Sequence, residues 1–402
     1  MLGEVMKLRY TFDRKEKSNK IGLLCIPILL FLFSFLLMFS CNDSELGIFY
    51  GLKSEERIGI GSLPTNITVG SMAKAGNDLY IAAGSVWRKP FGDENWHMLP
   101  TPGGFHLSTS LASDNDGNIF AIYYNKDNAN TGFFSLNGLE WTQLPRPDAW
   151  SIQSVKSTAD GKIFVSTRNT SPYTTDNDGR LYHYTGGTFT LIDLPERVLF
   201  GRTYTSLIGS SFDVIFAADG KYWISNAHSI FYSDDLDEQF TLVEPIDRNR
   251  KIEGLAYHDG HIYFTFNGRD RRGGRLGVIS SSDGSGFRSE HPITPSNTFL
   301  TNLAFFQVSN DNWVLLVGTE AVIGYFQLPN PTPDNIHLLD RPRGQGLPLV
   351  TNYNSAVDLH RALVLDFFID PSVLFGGDLY ALTNRGLWKS SGNFGERRWS
   401  RE

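Results

Sequence analysis

The 402-residue sequence has little cysteine: two residues, Cys25 inside an apolar run near the start and Cys41 at the end of that run. The remainder has no pair to cross-link, so a disulfide framework is excluded. Reactive signatures are missing too. There is no His-Glu-x-x-His, no nucleophile elbow, and no glycine-rich turn between a strand and a helix. Asp114-Asn115-Asp116-Gly117 and Asp176-Asn177-Asp178-Gly179 begin like calcium loops. The position that would need glutamate is Asn125 in one and Gly187 in the other, so both read as turns. His258 and His261 flank an Asp-Gly turn and read as turn neighbours rather than ligands. No metal and no cofactor is implied. Basic residues are outnumbered, 36 against 43 acidic, for a net charge of −7. That balance argues against nucleic acid as a partner.

The start of the chain has its own character. Met1–Lys20 carries six Lys/Arg and three Asp/Glu, and Ile21–Ser40 is almost wholly apolar. A basic lead, an apolar stretch and a small residue before a polar break describe an export signal. The length also suits an uncleaved anchor. Without this leader the net charge falls to about −10. Leu37-Met38-Phe39-Ser40-Cys41 resembles the lipobox of bacterial lipoproteins, with a large Phe39 and the leucine one position early. Lipoproteins of spirochaetes tolerate such boxes. The resemblance implies a signal peptide over 1–40, lipid on Cys41 and a spacer over 41–65. It places the chain in the cell envelope, on the outer membrane or the periplasmic face of the inner membrane.

From about residue 66 onward a unit repeats seven times. Its marker is a short apolar run: Asp78–Ala83, Asn118–Tyr123, Lys162–Ser166, Lys221–Ser225, His261–Phe266, Asn312–Val317 and Asp378–Leu382. Apolar residues at successive positions indicate strands buried on both faces. No good helical stretch separates them, which excludes a parallel α/β sheet. Repeats of roughly 40–50 residues with several strands each are those of propeller blades. The spacing predicts an all-β, seven-bladed β-propeller of four-stranded antiparallel blades over 66–402. The last unit holds its own fourth strand, so the ring closes either on that strand or on one borrowed from 42–65.

A second pattern follows the third strand. Ser135-Leu-Asn137-Gly138-Leu-Glu-Trp141 and Ser281-Ser-Asp283-Gly284-Ser-Gly-Phe287 share Ser-x-Asp/Asn-Gly-x-x-aromatic. Ser233–Phe240 and Ser391–Trp399 are looser copies. These resemble the Asp-box of BNR or sialidase-like propellers. The resemblance implies an Asp or Asn holding turn amides and an aromatic packed into the blade, a marker of fold rather than of activity.

In such blades the connections between strands 1–2 and 3–4 lie on one face of the disc, and those between strands 2–3 and between blades lie on the other. The first set reads as tight turns. The second includes long stretches at 169–178, 195–212, 247–251, 268–274, 293–302 and 342–361, and long loops on a rigid scaffold are where binding sits. Aromatics that precede first strands (Phe105, Trp150, Tyr204, Phe299 and Tyr353) are expected at the channel mouth, as a stacking surface or as packing. Arg202, Arg248, Arg250, Arg271 and Arg272 offer an anion site or a solvated basic face. The expectation is a monomeric, non-catalytic, membrane-tethered binding module that engages a protein or glycan through the long-loop face. A sialidase-like glycan-active enzyme and a periplasmic assembly factor are the alternatives. The Arg-Ile-Pro motif of sialidases is missing.

Overall fold

The computed structural model describes residues 63–402, apart from 65–66, 127–129, 149, 170–178, 196, 200–201, 205–211, 227, 244–249, 269–273, 290–298, 320–324, 337–362, 371–377 and 392–397. Every regular element in it is a strand, and the strands form successive antiparallel sheets. Blades 1–5 and 7 have four strands in sequence order, and blade 6 has three among the described residues. The first strands are Ser71–Ala75, Leu107–Ser113, Ser151–Ser157, Asp213–Phe216, Arg250–His258, Leu300–Ser309 and Val364–Ile369. Each touches the next, and the last touches the first, so they line a closed ring around a central channel. The chain is a seven-bladed propeller.

The continuous apolar runs have a direct structural cause. In blade 3, Phe164 packs in the core shared with blade 4, while Ile163 and Val165 pack in the core shared with blade 2. In blade 4, Tyr222 and Ile224 face blade 3 and Trp223 faces blade 5. Strand geometry sends alternate side chains to opposite faces, and in a stacked blade both faces are interior. Seven apolar clusters result, one at each interface. Fully burying one such Phe or Ile contributes about 1.5–3 kcal/mol.

The ring closes without an exchanged strand among the described residues. Blade 7 holds four strands of its own, ending at Arg398–Arg401. The seam to blade 1 is an apolar cluster that includes Val69, Ile81, Tyr380 and Leu382. Val69 N–H donates to the Thr383 carbonyl at 3.0 Å. Lys74 pairs with Asp370 at 2.7 Å and Lys89 with Glu402 at 2.5 Å.

Two of the turns after the third strands are held by an aspartate. Ser285 N–H donates to Asp283 Oδ1 at 2.9 Å, and Asp237 N–H donates to Asp235 Oδ1 at 3.1 Å. Phe240 is buried, Phe287 stacks on Phe264, and Trp141 packs edge-on against Tyr123. The copy at 391–399 lies largely outside the described residues. The contrast between the two faces is softer than expected. Blades 1, 4 and 7 join strands 2 and 3 by one or two residues, at Gly84, 227–228 and 384–385. Blades 1, 4 and 5 carry seven-residue connections between strands 3 and 4. The length on the other face resides chiefly between blades. One of those connections is not loop throughout: Arg197–Leu199 and Arg202–Tyr204 pair as a hairpin between blades 3 and 4.

Candidate functional site in the central channel

The first strands carry a feature that sets the chemistry of the channel. One position in each is small or polar: Ser71, Ser110, Ser154, Asp213, Gly254, Asn302 and Asp366. An apolar residue follows it every time, and that residue turns into the blade. Several of these side chains capture the backbone of the next blade. Leu111 N–H donates to Ser71 Oγ at 2.7 Å, Val155 N–H to Ser110 Oγ at 2.9 Å, and Leu255 N–H to Asp213 Oδ2 at 2.9 Å. Asn302 Nδ2 donates to Asp366 Oδ1 at 2.6 Å. Blade 5 has glycine here because a Cβ on Gly254 would collide with Asn302 Oδ1 and approach the Asn302 Cα within 3.0 Å. The result is a polar belt stitched from blade to blade.

Five first strands are also bulged beside this belt, with Thr109, Gln153, Glu253, Thr301–Asn302 and Leu365 left out of the ladder register. A bulge re-aims a side chain, and all of these residues line one cavity of about 620 Å³. Every blade contributes its first strand to that cavity, which reaches Phe299 and Leu363, where between-blade connections arrive. A volume of this order is that of small-ligand pockets in general.

The cavity is charged. Lys156 Nζ donates to Asp213 Oδ1 at 2.9 Å and lies 5.7 Å from the centre of the Phe212 ring. Lys156 lines the cavity and keeps 32 % of its side-chain surface open. Burial works against that charge, but the carboxylates of Asp213 and Asp366 outweigh it and hold the Lys156 pKa above the ordinary lysine value. Lys251 pairs with Glu253 at 2.8 Å. Asp366 is pushed up to about 6, first by burial and then by Asp213, against the pull of Lys156 and the hydrogen bonds from Phe367 and Asn302. Among the described residues no group of three His, Cys, Asp or Glu is placed to hold a metal ion.

The sequence candidates separate. Phe299 lines the cavity, and Arg250 opens the first strand of blade 5 immediately before Lys251. Phe105 packs edge-on against Phe134, 5.0 Å between ring centres, in the cluster shared by blades 1 and 2. Trp150 makes a separate platform. The Arg180 guanidinium lies 4.0 Å above its ring, Arg146 donates to its carbonyl at 2.5 Å, and Asp148 accepts from its N–H and from Tyr182 Oη at 2.8 Å each. Arg202 and Tyr204 lie on the hairpin between blades 3 and 4. Cys41, Arg248, Arg271, Arg272 and Tyr353 lie outside the described residues. The belt and its charged members were not singled out from the sequence. Stacking the seven first strands on their hairpin partners exposes the pattern, and Lys156 then stands at a position held elsewhere by Ala73, Ala112, Ile215, Ala256, Ala304 and Phe368.

No known family model and no curated protein matches the chain. Solved structures do share its fold. YCF48 from Cyanidioschyzon merolae is 14 % identical with a TM-score of 0.53, covering 83 % of this chain and 98 % of its own. A structure described as YCF48 bound to D1 peptide is 11 % identical with a TM-score of 0.51, covering 82 % of this chain and 92 % of its own. The GH74 xyloglucanase from Xanthomonas campestris is 14 % identical with a TM-score of 0.54, and the match takes in 83 % of this chain and 53 % of that enzyme. At these identities the likeness is one of fold: this chain is built as those propellers are.

Proposed function

We propose that the chain is a lipid-anchored module of the cell envelope, attached through Cys41, that binds a protein or a glycan at the face where its channel receives the between-blade connections. The observation that carries this reading is a cavity lined by the first strand of every blade. Its wall is held by hydrogen bonds that cross from blade to blade, so it is pre-organised, and pre-organisation lowers what binding must spend on ordering. A propeller of the same architecture is described as bound to a peptide, which supports a protein as the partner class. In this reading the module is monomeric, and the Asp-box-like turns serve the fold.

Two measurements test it together. Labelled palmitate should enter the wild-type chain and not Cys41→Ser, with the propeller then released from the membrane fraction. Photo-crosslinkers at Phe299 and Leu363 should trap a partner on intact cells, while crosslinkers at Gly76 and Gly138, on the short-turn face, should not. Equal capture from both faces overturns the binding face. The second reading, a glycan-active enzyme, draws on Arg250, which immediately precedes the cavity residue Lys251. Turnover of a fluorogenic sialoside, lost on Arg250→Ala, would replace the first reading with this one.

A further inference from the structure

The charges in the cavity do not cancel. Lys156 is paired with Asp213 and Lys251 with Glu253, at 2.9 Å and 2.8 Å. Asp366 lines the same cavity and has no ion-pair partner within salt-bridge distance among the described residues. One of its oxygens is fully occupied: Oδ1 accepts from Asn302 Nδ2 at 2.6 Å and from Phe367 N–H at 2.8 Å. The other, Oδ2, accepts no hydrogen bond among the described residues. Asn302 Oδ1 accepts from Leu303 N–H at 2.8 Å, which fixes the amide with its nitrogen toward Asp366 Oδ1. Asp366 therefore gives the described wall an unshared negative charge and an oxygen open to a donor, inside low-dielectric surroundings that strengthen both.

The geometry narrows what would satisfy that oxygen. A divalent cation takes six or more oxygen ligands, and the one open oxygen of Asp366 is a poor start for such a cage. A guanidinium is best matched by both oxygens of a carboxylate at once, and Oδ1 is already taken. A compact ammonium needs one strong acceptor and room for a flexible stem. The cavity of about 620 Å³ supplies the room, with Phe299, Leu363 and Leu365 as apolar wall for methylenes.

We propose that the channel binds a primary ammonium group through Asp366 Oδ2, delivered as the side chain of a lysine on the partner. This rests on the binding-module reading and adds the chemistry of what is bound. The same group on a free diamine meets the same oxygen, and the test separates the two sources. Only ionised Asp366 serves, and that carboxyl is pushed up to about 6. The other charged groups facing it are Lys156 and Asp213, with Lys251 and Glu253 farther along the wall. Lys156 is held above the ordinary lysine value and stays charged across the acid limb.

The experiment is calorimetry on the full chain with three probes: cadaverine, a blocked Gly-Lys-Gly peptide, and that peptide with its lysine acetylated. At pH 7.5 the first two should bind and the acetylated peptide should not. Below pH 5 affinity should fall by about tenfold per pH unit. Near pH 5.5 binding should release a proton, read as an enthalpy that changes with the ionisation heat of the buffer. A folded Asp366→Asn chain should lose the binding. If that variant does not fold, the wild-type pH profile and proton release decide alone. Tighter binding of the peptide than of cadaverine supports the protein lysine, and the reverse order supports a free diamine and overturns the lysine. Binding of the acetylated peptide, unchanged affinity in folded Asp366→Asn, a flat profile from pH 7.5 to 4.5, or no binding at about 10 mM each overturns the inference. Partner capture at Phe299 that survives such a failure leaves the wider reading standing; loss of capture sinks that one instead.

Discussion

The interfaces between blades and the wall of the channel are both interior, yet they are built on different terms. Between blades, the wall is Phe, Tyr, Trp, Ile, Leu and Val from two sheets, with ring pairs such as Phe264 on Phe287 and Phe133 on Tyr184. Around the channel it is Ser, Asp, Asn, Gln and Lys, with Ser71, Ser110 and Asp213 tied to backbone N–H groups of the neighbouring blade. Apolar burial is nondirectional and scales with area, so it sets how strongly blades adhere. Hydrogen bonds are directional and expensive to leave unmade, so they set where one blade stops relative to the next. The ring thus draws adhesion from one region and alignment from the other.

Four substitutions sharpen or break that contrast. The largest effect belongs to the interface. Phe264→Ala empties a site with no exposure beside Phe266, Phe287 and Gly277, and chemical denaturation should show a loss of about 3–5 kcal/mol. Gly254→Ala comes next, because its new methyl meets backbone and side chain of Asn302 in the adjoining blade. A loss of about 1–3 kcal/mol is expected, and full stability would mean the belt yields where it is drawn as rigid.

Asp366→Asn runs the other way. The folded carboxyl titrates near 6 against an ordinary 3.8. Its contribution to stability is therefore complete below about pH 4 and is lost as pH rises through 6. The asparagine variant escapes that loss and keeps an acceptor for Asn302. It should be more stable than wild type by roughly 1–3 kcal/mol at pH 7.5 and no more stable below pH 4. An equal gain at both pH values would show that charge burial is not the cause. The smallest effect is Ser110→Ala, which removes one acceptor and one donor to Val155 and should cost about 1 kcal/mol. A cost as large as that of Phe264→Ala would erase the division between adhesion and alignment.

The same contrast explains what the sequence discloses. Ile163-Phe164-Val165 announces its strand because each residue meets an apolar partner on one side or the other, and hydropathy records that directly. Asp213 and Asp366 do not announce the channel, since one polar residue in a short strand looks like a strand end or an exposed face. The bulges at Gln153 and Glu253 add to the difficulty by breaking alternation where it would have been diagnostic. Trp150 reads as an aromatic before a first strand, but its partner Arg180 comes thirty positions later, across the connection at 169–178, and only the folded blade brings them together. Phe105 shows the limit of position alone: it precedes a first strand as Phe299 does, yet it packs on Phe134 while Phe299 lines the cavity.

The seam between blades 7 and 1 has a wider meaning. Blade 7 completes its sheet from contiguous chain, so gaining or losing a whole repeat by gene duplication or deletion would cut no ladder of backbone hydrogen bonds at that junction. Ring size in such a lineage is then governed by the wedge angle at which neighbouring sheets rest on each other, and by the side-chain volumes that fix that angle.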